Sequence, residues 1–491
     1  MGVAIRSCVR FLLNSEAVEL SALPPTQTLL DFLRLERRLR GSKEGCAEGD
    51  CGACTVLVGR LLNGDLVYET VNSCIRFTGS LDGCHVVTIE ALAGGGGTLH
   101  PVQQAMADGH GSQCGFCTPG IVMSLYGLWL QSPDPSIGEI EKALQGNLCR
   151  CTGYEAIIRA AEAASKADRM RDALVTERLK VRHQLAAMAD GARVEIGAGR
   201  ERLIIPASVS DLDEALAENP AATIVAGSTD VGVWVAKQMR DVSPVIFIGS
   251  LPALQTVNET KHGLSIGACV TYSQAYRYIA KDFPQMVELW DRIGGEQVRN
   301  MGTIGGNVAN GSPIGDTPPA LIALGAKAVL RKGGKRRSVA LEDFFIDYGK
   351  QDREPGEFIE SIEIPYLPDG DKFAVYKVTK RLDEDISTVC GAFRISLDGA
   401  GRVQSACLAF GGMAATPKRA KLTEAALIGK VWSEANVEKA VASFSKEFTP
   451  LTDMRASADY RMKVTANLLR RFFLETSGAQ GQLRLMREAA E

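Results

Sequence analysis

The alternation of apolar and polar positions in the first ninety residues predicts a small sheet packed on one helix. The strands it predicts are residues 4–13, 16–21, 55–58, 66–71 and 85–89. Asn14-Ser15 supplies a turn between the first two strands, which makes them a hairpin. An amphipathic pattern predicts a helix that starts after Thr28, a good N-cap residue, and ends near Arg38.

After the glycine run 94–97 the pattern changes to a helical period. Thr118 followed by Pro119 is typical of a helix start, with the threonine as N-cap. Ser136 and Glu139 have the spacing of a capping box for the next helix. These signals predict a second, helical domain.

The rest of the chain returns to mixed strands and helices. Residues 163–200 are charged and rich in alanine, which predicts a linker that is either helical or extended over the surface. Strands and helices alternate from about Pro206, whereas from about Lys372 strands come before helices, as in an α+β domain.

Eight of the thirteen cysteines lie between residues 46 and 151, in two sets of four. The first set is Cys46, Cys51, Cys54 and Cys74, and the second set is Cys114, Cys117, Cys149 and Cys151. The C-x4-C-x2-C spacing of the first set, with a distant fourth cysteine, is typical of plant-type two-iron clusters. Gly45, Gly49 and Gly52 allow its loop to curl and to aim backbone N–H groups at the sulfurs.

Structural zinc is the alternative, because four thiolates also suit a tetrahedral zinc ion. Zinc ligands usually come as two C-x2-C pairs, a form that neither set has, so the first set favours an iron–sulfur cluster. The second set could hold zinc or a cluster. Its two pairs fall at predicted helix ends, where helix dipoles would stabilise an anionic cluster. That favours a second iron–sulfur site, walled by helices and drier than the first.

Two glycine turns lie further along the chain. A predicted buried strand at 223–225 runs into 226–230, where Ser, Thr and Asp can cap a following helix and form an anion site. The second turn is at 303–307. Neither has the G-x-G-x-x-G order of a Rossmann unit, and each alone is typical of a tight turn. Together they suit two loops that hold one pyrophosphate. The basic run 332–337 predicts a hairpin tip in solvent rather than a phosphate or NAD site.

Composition excludes several classes of protein. With 491 residues and 45% hydrophobic content, the chain can form three or four domains. The net charge of −3, without a long block of one sign, argues against nucleic-acid and membrane-surface partners. No apolar run reaches the roughly 18 residues that span a bilayer, and residues 1–14 show neither the apolar region nor the cleavage site of a signal peptide. We therefore expect a cytoplasmic protein, where thiols stay reduced.

Eight stretches carry a family resemblance, in one order along nearly the whole chain. They are GCAEGDCGACT (45–55), QCGFCTPG (113–120), LCRCTGY (148–154), IVAGSTDVG (224–232), TIGGNVANGSPIGD (303–316), YKVTKRLDEDIS (376–387), FGGMAATPKRA (410–420) and DMRASADYR (453–461). With them the chain resembles the iron–sulfur/FAD subunit of bacterial xanthine dehydrogenases, in the molybdenum hydroxylase family. The last two favour the xanthine branch over the carbon-monoxide, nicotine and quinoline branches. The tail after about Ser477 matches nothing firmly.

The resemblance implies an α+β multidomain fold. It places a β-grasp plant-type [2Fe-2S] ferredoxin-like domain at 1–91, a helical [2Fe-2S] domain at 92–165, the linker at 166–200, an α+β FAD-binding domain of the molybdenum hydroxylase flavoprotein type at 201–370 and a C-terminal α+β flavoprotein domain at 371–491.

The resemblance also implies the cofactor contacts. Each cysteine set would hold one [2Fe-2S] cluster, the second nearer to molybdenum. The FAD contacts map to Ile224, Val225, Ala226, Gly227, Ser228, Thr229, Asp230, Val231, Thr303, Ile304, Gly305, Gly306, Asn307, Asp316, Ile359 and Lys377. Ile293 departs from the family pattern, in which an aromatic residue often lies beside the flavin nucleotide.

The implied function is electron transfer, with no residue of this chain acting on substrate. No segment resembles the molybdopterin domains, so a separate large subunit would carry the molybdenum cofactor and oxidise hypoxanthine and xanthine to urate in purine catabolism. Electrons would pass through both clusters to FAD and then to NAD⁺, in a dimer of heterodimers. The alternatives are the small subunit of another molybdenum hydroxylase, acting on an aldehyde or N-heterocycle, a stand-alone NADH-dependent iron–sulfur flavoprotein reductase, and a zinc-stabilised scaffold.

Overall fold

The computed structural model describes residues 3–478, and their contacts divide the chain into two compact units. Unit 1 contains residues 3–251 and 294–302, and unit 2 contains residues 252–293 and 303–478. The C-terminal tail after about Ser477, which carries no family resemblance, lies outside the described residues except at its start. Among residues 3–478, no helix is both long and apolar enough to cross a bilayer.

The first sheet of unit 1 has the predicted β-grasp arrangement. Its strands, in spatial order, are Glu16–Leu20, Val9–Leu13, His85–Val87, Thr55–Leu62 and Asp65–Asn72. The second and third strands in this order are parallel, and the other neighbours are antiparallel. The predicted helix begins after Thr28, whose Oγ1 accepts the N–H of Asp31 at 3.1 Å. It consists of an α-turn, Leu29–Asp31, that continues as a π-helix, Phe32–Glu36.

The predicted first strand, 4–13, is divided between two sheets, which corrects the prediction. Val9–Leu13 stays in the β-grasp sheet, whereas Ile5–Arg6 pairs in parallel with Arg193–Ala198. The second sheet of unit 1, in spatial order, is Ile5–Arg6, Arg193–Ala198, Glu201–Ile205, Val245–Phe247 and Thr223–Val225. The end of the predicted linker is therefore a strand. Phe77 and Phe247, one from each domain, pack with ring centroids 5.9 Å apart.

Helices fill the remainder of unit 1. The α-helices are Pro101–Asp108, Thr118–Gln131, Ile137–Leu144, Glu155–Ser165, Ala173–Thr176, Arg178–Met188, Val209–Glu218, Val231–Ala236 and Glu296–Met301, and the short 3-10 helices are Thr78–Leu81, Ile89–Ala91, Gly95–Gly97 and Arg169–Arg171. The capping box is confirmed, since Ser136 N donates to Glu139 Oε2 at 2.8 Å and Glu139 N to Ser136 Oγ at 3.3 Å. Thr118 is the first helical residue rather than the N-cap, because its hydroxyl bonds Ser112 Oγ at 2.6 Å.

Unit 2 has two larger sheets and one short hairpin. The first sheet is Val257–Thr260, Gly263–Gly267, Phe358–Pro365, Lys327–Lys332 and Lys335–Ala340; the second is Lys372–Val378, Val389–Leu397, Val403–Gly411 and Lys418–Arg419; the hairpin is Phe345–Asp347 with Lys350–Gln351. The α-helices are Tyr272–Asp282, Val287–Asp291, Ile304–Asn310, Thr317–Leu324, Leu341–Phe344, Lys421–Leu427, Glu434–Val441, Phe444–Glu447 and Ala458–Thr476, with 3-10 turns at Pro252–Leu254 and Pro284–Met286. Strands precede helices in the C-terminal part, as predicted.

The basic run 332–337 is the tip of a hairpin, as its sequence indicated. Arg337 forms ion pairs with Asp352 and Glu357, and Arg336 forms one with Glu360. These two guanidinium groups already have carboxylate partners, which supports a structural role for them.

Candidate functional site

The first cysteine set comes together at one end of the β-grasp sheet. Cys46, Cys51 and Cys54 lie in the loop before the strand Thr55–Leu62, and Cys74 lies just after the neighbouring strand. Hydrogen bonds from the Cys51 and Cys74 thiols lower the pKa of the Cys46 thiol. A hydrogen bond from Cys74 lowers the pKa of Cys54 in the same way. The four sulfur atoms therefore form one connected group, as predicted from their spacing.

Backbone N–H groups surround one sulfur of this group. The N–H groups of Glu48, Asp50 and Cys51 each donate to Cys46 Sγ over 3.4 Å. The loop can curl in this way because Gly49 has a φ of +79°, where a side chain would be strained. Such donors stabilise the charge of a bound cluster and tune its potential.

The second cysteine set forms two sulfur pairs. A hydrogen bond with Cys114 raises the pKa of the Cys151 thiol, and burial together with a bond to Cys149 raises the pKa of Cys117 to about 12. Cys114 and Cys151 are exposed, whereas no cysteine of the first set is. The expectation of a drier second site is therefore wrong for this chain. The reason is that these two cysteines lie in loops beyond the helix ends and not between the helices.

The donor chemistry of both sets suits two-iron clusters. Each set supplies four cysteine thiols, and a [2Fe-2S] cluster takes two cysteine thiolates at each iron.

The two cysteine sites are in direct contact. Leu148 N donates to Cys51 O at 2.9 Å, and Asn147 Nδ2 donates to Gly52 O at 3.2 Å. A Cβ added at Gly120, in the helix after the second set's first pair, would lie 2.1 Å from Gly52 O. The loop of the first site is thus pressed against backbone that belongs to the second.

The turn after the strand Thr223–Val225 has free N–H groups. Ser228 has a φ of +60°, and a Cβ added at Gly227 would lie 1.8 Å from Met301 O, so only glycine can occupy that position. In the part of the chain that the structure describes, the N–H groups of Gly227, Ser228 and Thr229 have no protein acceptor. Successive free N–H groups in such a turn form an anion-binding nest.

The helix that follows this turn, Val231–Ala236, packs against the first cysteine site. A Cβ added at Gly232 would lie 2.3 Å from the carbonyl oxygen of Ile75, the residue after Cys74. The predicted side-chain cap is wrong, because Asp230 occupies the N-cap position without a capping hydrogen bond. Burial of the Asp230 carboxyl raises its pKa to about 6, although the residue as a whole is half-buried.

In unit 2, residues 303–307 begin a short helix. Thr303 is its N-cap, and its Oγ1 accepts the N–H of Gly306 at 3.0 Å. The N–H groups of Ile304 and Gly305 donate to carbonyl oxygens of a neighbouring loop at 3.1 and 3.2 Å. Within the described residues, a Cβ added at Gly306 would meet only the side chain of Thr303. Unlike the 226–230 turn, this one offers a small open surface rather than free donors.

Two more residues that the resemblance assigns to FAD form an ion pair in unit 2. Lys377 Nζ lies 2.6 Å from Asp316 Oδ2, and the lysine side chain is only 3% exposed. Lys377 Nζ also donates to Arg292 O at 2.8 Å, and Ser387 Oγ donates to Asp316 Oδ1 at 2.5 Å. Ile359 lies in the buried core of the same unit. Arg292 and Ser387 were not singled out from the sequence.

Four family profiles match successive parts of the chain. They are a 2Fe-2S iron-sulfur cluster binding domain (11–75), a [2Fe-2S] binding domain (88–162), the FAD binding domain in molybdopterin dehydrogenase (194–367) and the CO dehydrogenase flavoprotein C-terminal domain (374–476). A reconstituted CO dehydrogenase from Oligotropha carboxidovorans is 30% identical with a TM-score of 0.50, and the match covers 54% of this chain and 94% of that one. The chain belongs to the molybdenum hydroxylase family.

Other proteins of this kind are similar to larger parts of the chain. The xanthine dehydrogenase/oxidase of Rattus norvegicus is 32% identical over 95% of this chain and 39% of its own length. Quinoline 2-oxidoreductase from Pseudomonas putida 86 is 27% identical with a TM-score of 0.51, over 56% of this chain and 96% of that chain. The chain spans about two fifths of the curated relatives it matches. The predicted family, the two 2Fe-2S domains and the FAD-binding domain are thus confirmed.

Proposed function

We propose that the chain is the electron-transfer subunit of a xanthine dehydrogenase. Electrons from a molybdenum cofactor on a separate large subunit would pass through two [2Fe-2S] clusters to FAD and then to NAD⁺, while hypoxanthine and xanthine are oxidised to urate. Similarity to a xanthine dehydrogenase/oxidase over 95% of the chain supports this substrate class. The chain spans only 39% of that relative, which supports a partner that supplies the rest.

One observation carries the proposal. Within unit 1, the second cysteine site contacts the first, and the first contacts the helix that follows the 226–230 turn. Leu148 bonds Cys51, which joins the second cysteine site to the first. Ile75, directly after Cys74, contacts Gly232 in the helix Val231–Ala236, which follows the 226–230 turn. A relay of electrons needs each carrier to be close to the next, and this succession provides that.

The residues of the chain have distinct parts in this relay. The clusters carry one electron each and FAD accepts one or two, which joins a two-electron oxidation to one-electron carriers. The eight cysteines would hold the clusters as thiolates. The N–H groups of 227–229 would bind the pyrophosphate of FAD. The family resemblance assigns further FAD contacts to residues 224–231, 303–307, Asp316, Ile359 and Lys377.

The setting of the enzyme follows from the same resemblance. None of the thirteen cysteines, all of which lie within residues 3–478, forms a disulfide, which supports a reducing compartment, so we place the enzyme in the cytoplasm. The family resemblance supports NAD⁺ as the acceptor and a dimer of heterodimers as the assembly.

A second candidate is the small subunit of another molybdenum hydroxylase, acting on an aldehyde or an N-heterocycle. The similarity to quinoline 2-oxidoreductase and to CO dehydrogenase favours it, because it covers 96% and 94% of those chains. Substrate choice would lie in the partner subunit in either case.

Purification from the source organism tests these functions. We expect iron and acid-labile sulfide in the amounts of two two-iron clusters, one FAD, a co-purifying molybdenum protein and reduction of NAD⁺ by xanthine. Turnover of an aldehyde or N-heterocycle but not of xanthine would establish the second candidate. Clusters and FAD with NADH oxidation, and never a large subunit, would establish a stand-alone reductase. A colourless zinc protein without sulfide would overturn all of these.

A further inference from the structure

A buried glutamine connects the two cysteine sites. Gln297 lies in segment 294–302 of unit 1, and its side chain is fully buried. Its Nε2 donates to Thr55 Oγ1 at 3.2 Å, to Ser124 Oγ at 3.0 Å and to Asn147 Oδ1 at 2.9 Å. One amide thus reaches both iron–sulfur domains.

Each of the three acceptors is close to a cysteine in sequence. Thr55 follows directly after Cys54 of the first set. Asn147 lies two residues before Cys149 of the second set, and Ser124 lies in the helix that leads away from that set's other cysteine pair. The glutamine therefore lies next to both cysteine loops, and among the described residues its hydrogen bonds go to these three side chains and not to sulfur.

The acceptors are also bonded to one another, so the amide completes a closed network. Thr55 Oγ1 donates to Gly52 O at 2.6 Å, and Ser124 Oγ donates to Asn147 Oδ1 at 2.7 Å. Asn147 Nδ2 donates to the same Gly52 oxygen at 3.2 Å. Each of the three acceptors is therefore bonded both to the amide and within the network, and a shift of either loop would leave buried donors or acceptors unpaired.

The amide also packs closely against the backbone just before Asn147. A Cβ added at Gly146 would lie 2.0 Å from Gln297 Oε1. That oxygen has no hydrogen-bond partner among the described residues, so the side chain is held through its nitrogen. The direction of the amide is therefore set by the two loops that it joins.

We propose that Gln297 is a positioning residue that fixes the separation of the two clusters, an inference that rests on the function proposed above. Electron transfer between two carriers slows steeply as their separation grows. In the step concerned, one electron would leave one cluster and reduce the other, and Gln297 would hold the loops in place without taking up a proton. Because Gln297 links the two cysteine loops, its loss should alter the distance between the clusters. Because none of its hydrogen bonds goes to a sulfur atom, each cluster potential should stay unchanged.

The test compares two variants of the same segment in the holoprotein. Gln297→Met keeps the length of the side chain and removes its hydrogen bonds. The matched control Asn300→Leu removes a buried amide that donates to Thr70 O, in the strand Asp65–Asn72, at 2.9 Å. The measurements are iron and sulfide content, the potential of each cluster, the magnetic splitting between the two reduced clusters in low-temperature EPR, and the rate of electron exchange between them.

We expect Gln297→Met to retain both clusters and both potentials, to change or lose the splitting and to slow electron exchange, while Asn300→Leu matches the unsubstituted protein. An unchanged splitting in Gln297→Met overturns the proposal. An equal change in both variants also overturns it, because the segment as a whole would then be responsible.

If Gln297→Met fails to fold with both clusters, Ser124→Ala decides, since it removes one acceptor of the amide and leaves Gln297 in place. A smaller change of the splitting in the same direction supports the proposal, and an unchanged splitting overturns it. Unsubstituted protein without iron and sulfide would instead overturn the proposed function together with this inference.

Discussion

The N–H of Leu148 donates to the carbonyl oxygen of Cys51 over 2.9 Å, so a residue adjacent to Cys149 is bonded to a cysteine of the other set. The two sites share backbone contacts although their surroundings differ. The first is enclosed by its own loop, and the second opens to solvent through Cys114 and Cys151. This difference in exposure leads to the first prediction.

The two clusters should be distinguishable. Hydrogen bonds and exposure set the potential of an iron–sulfur cluster, and here three N–H groups point at Cys46 whereas Cys114 and Cys151 are exposed. Low-temperature EPR of the reduced protein should show two rhombic signals. In the isolated chain, a chelator should remove the second cluster faster than the first. One signal, or the signature of a four-iron cluster, would contradict this prediction.

Cys74 and not Cys84 should be the fourth ligand of the first cluster. The Cys74 thiol bonds the sulfurs of Cys46 and Cys54, which raises its pKa well above the ordinary value. Cys84 Sγ instead faces Asp82 O at 3.9 Å. Cys74→Ser should abolish or distort the first EPR signal, and the control Cys84→Ser should leave it intact. The opposite result would mean that the strand before Cys74 is out of register.

Local chemistry explains which features could be predicted from the sequence. The capping box at Ser136 and Glu139 depends on residues three positions apart, and the cysteine spacing encodes a cluster loop directly. Neither signal contains information on exposure, so the open position of Cys114 and Cys151 was not predicted. That property depends on how far the cysteines lie beyond the helix ends.

Distant partners explain what the sequence could not show. Gln297 and Asn147 are 150 residues apart in the chain, and a glutamine in a six-residue helix has no periodicity that would indicate burial. The two-residue strand Ile5–Arg6 is likewise too short for an alternating pattern, and its partner Arg193–Ala198 lies in a stretch without clear signals.

Asp230 should make the stability of FAD-free protein depend on pH. Its carboxyl has a pKa of about 6 in the fold, above the ordinary value of 3.8, because burial penalises the ionised form. The folded chain therefore holds this proton more tightly than the unfolded chain. The destabilisation of the fold by the ionised Asp230 carboxyl is thus largest above pH 6 and decreases as the pH falls. Asp230→Asn should raise the melting temperature at about pH 7.5 and raise it less at about pH 5. The control Glu141→Gln changes an exposed carboxyl. An equal gain at both pH values would contradict the prediction.

The ion pair of Lys377 and Asp316 should matter for both stability and FAD. Lys377→Met leaves the Asp316 carboxylate, 12% exposed, without its cation. Breaking a buried pair in this way costs about 3–5 kcal/mol, which urea unfolding can measure. Asp316→Asn combined with Lys377→Met should recover most of that stability but not FAD retention, if both residues contact the flavin. Full FAD content in the double variant would show that the pair is only structural.

Gly306→Val should separate the flavin from the clusters. A Cβ at Gly306 would meet only the Thr303 side chain among the described residues. The substitution should therefore lower the stability by about 1 kcal/mol, the contribution of a helix N-cap, and the protein should still fold. The added side chain would occupy the open surface where FAD is proposed to approach. We expect protein without FAD that keeps both clusters, because all eight cysteines belong to unit 1 and Gly306 to unit 2. The assembled enzyme should lose xanthine:NAD⁺ activity and keep xanthine oxidation with an artificial acceptor.

Gly399→Val, where an added Cβ meets nothing within 4 Å, is the control. Normal FAD content in Gly306→Val would show that residues 303–307 do not hold the cofactor, and loss of the clusters with FAD would show that the two units do not fold independently.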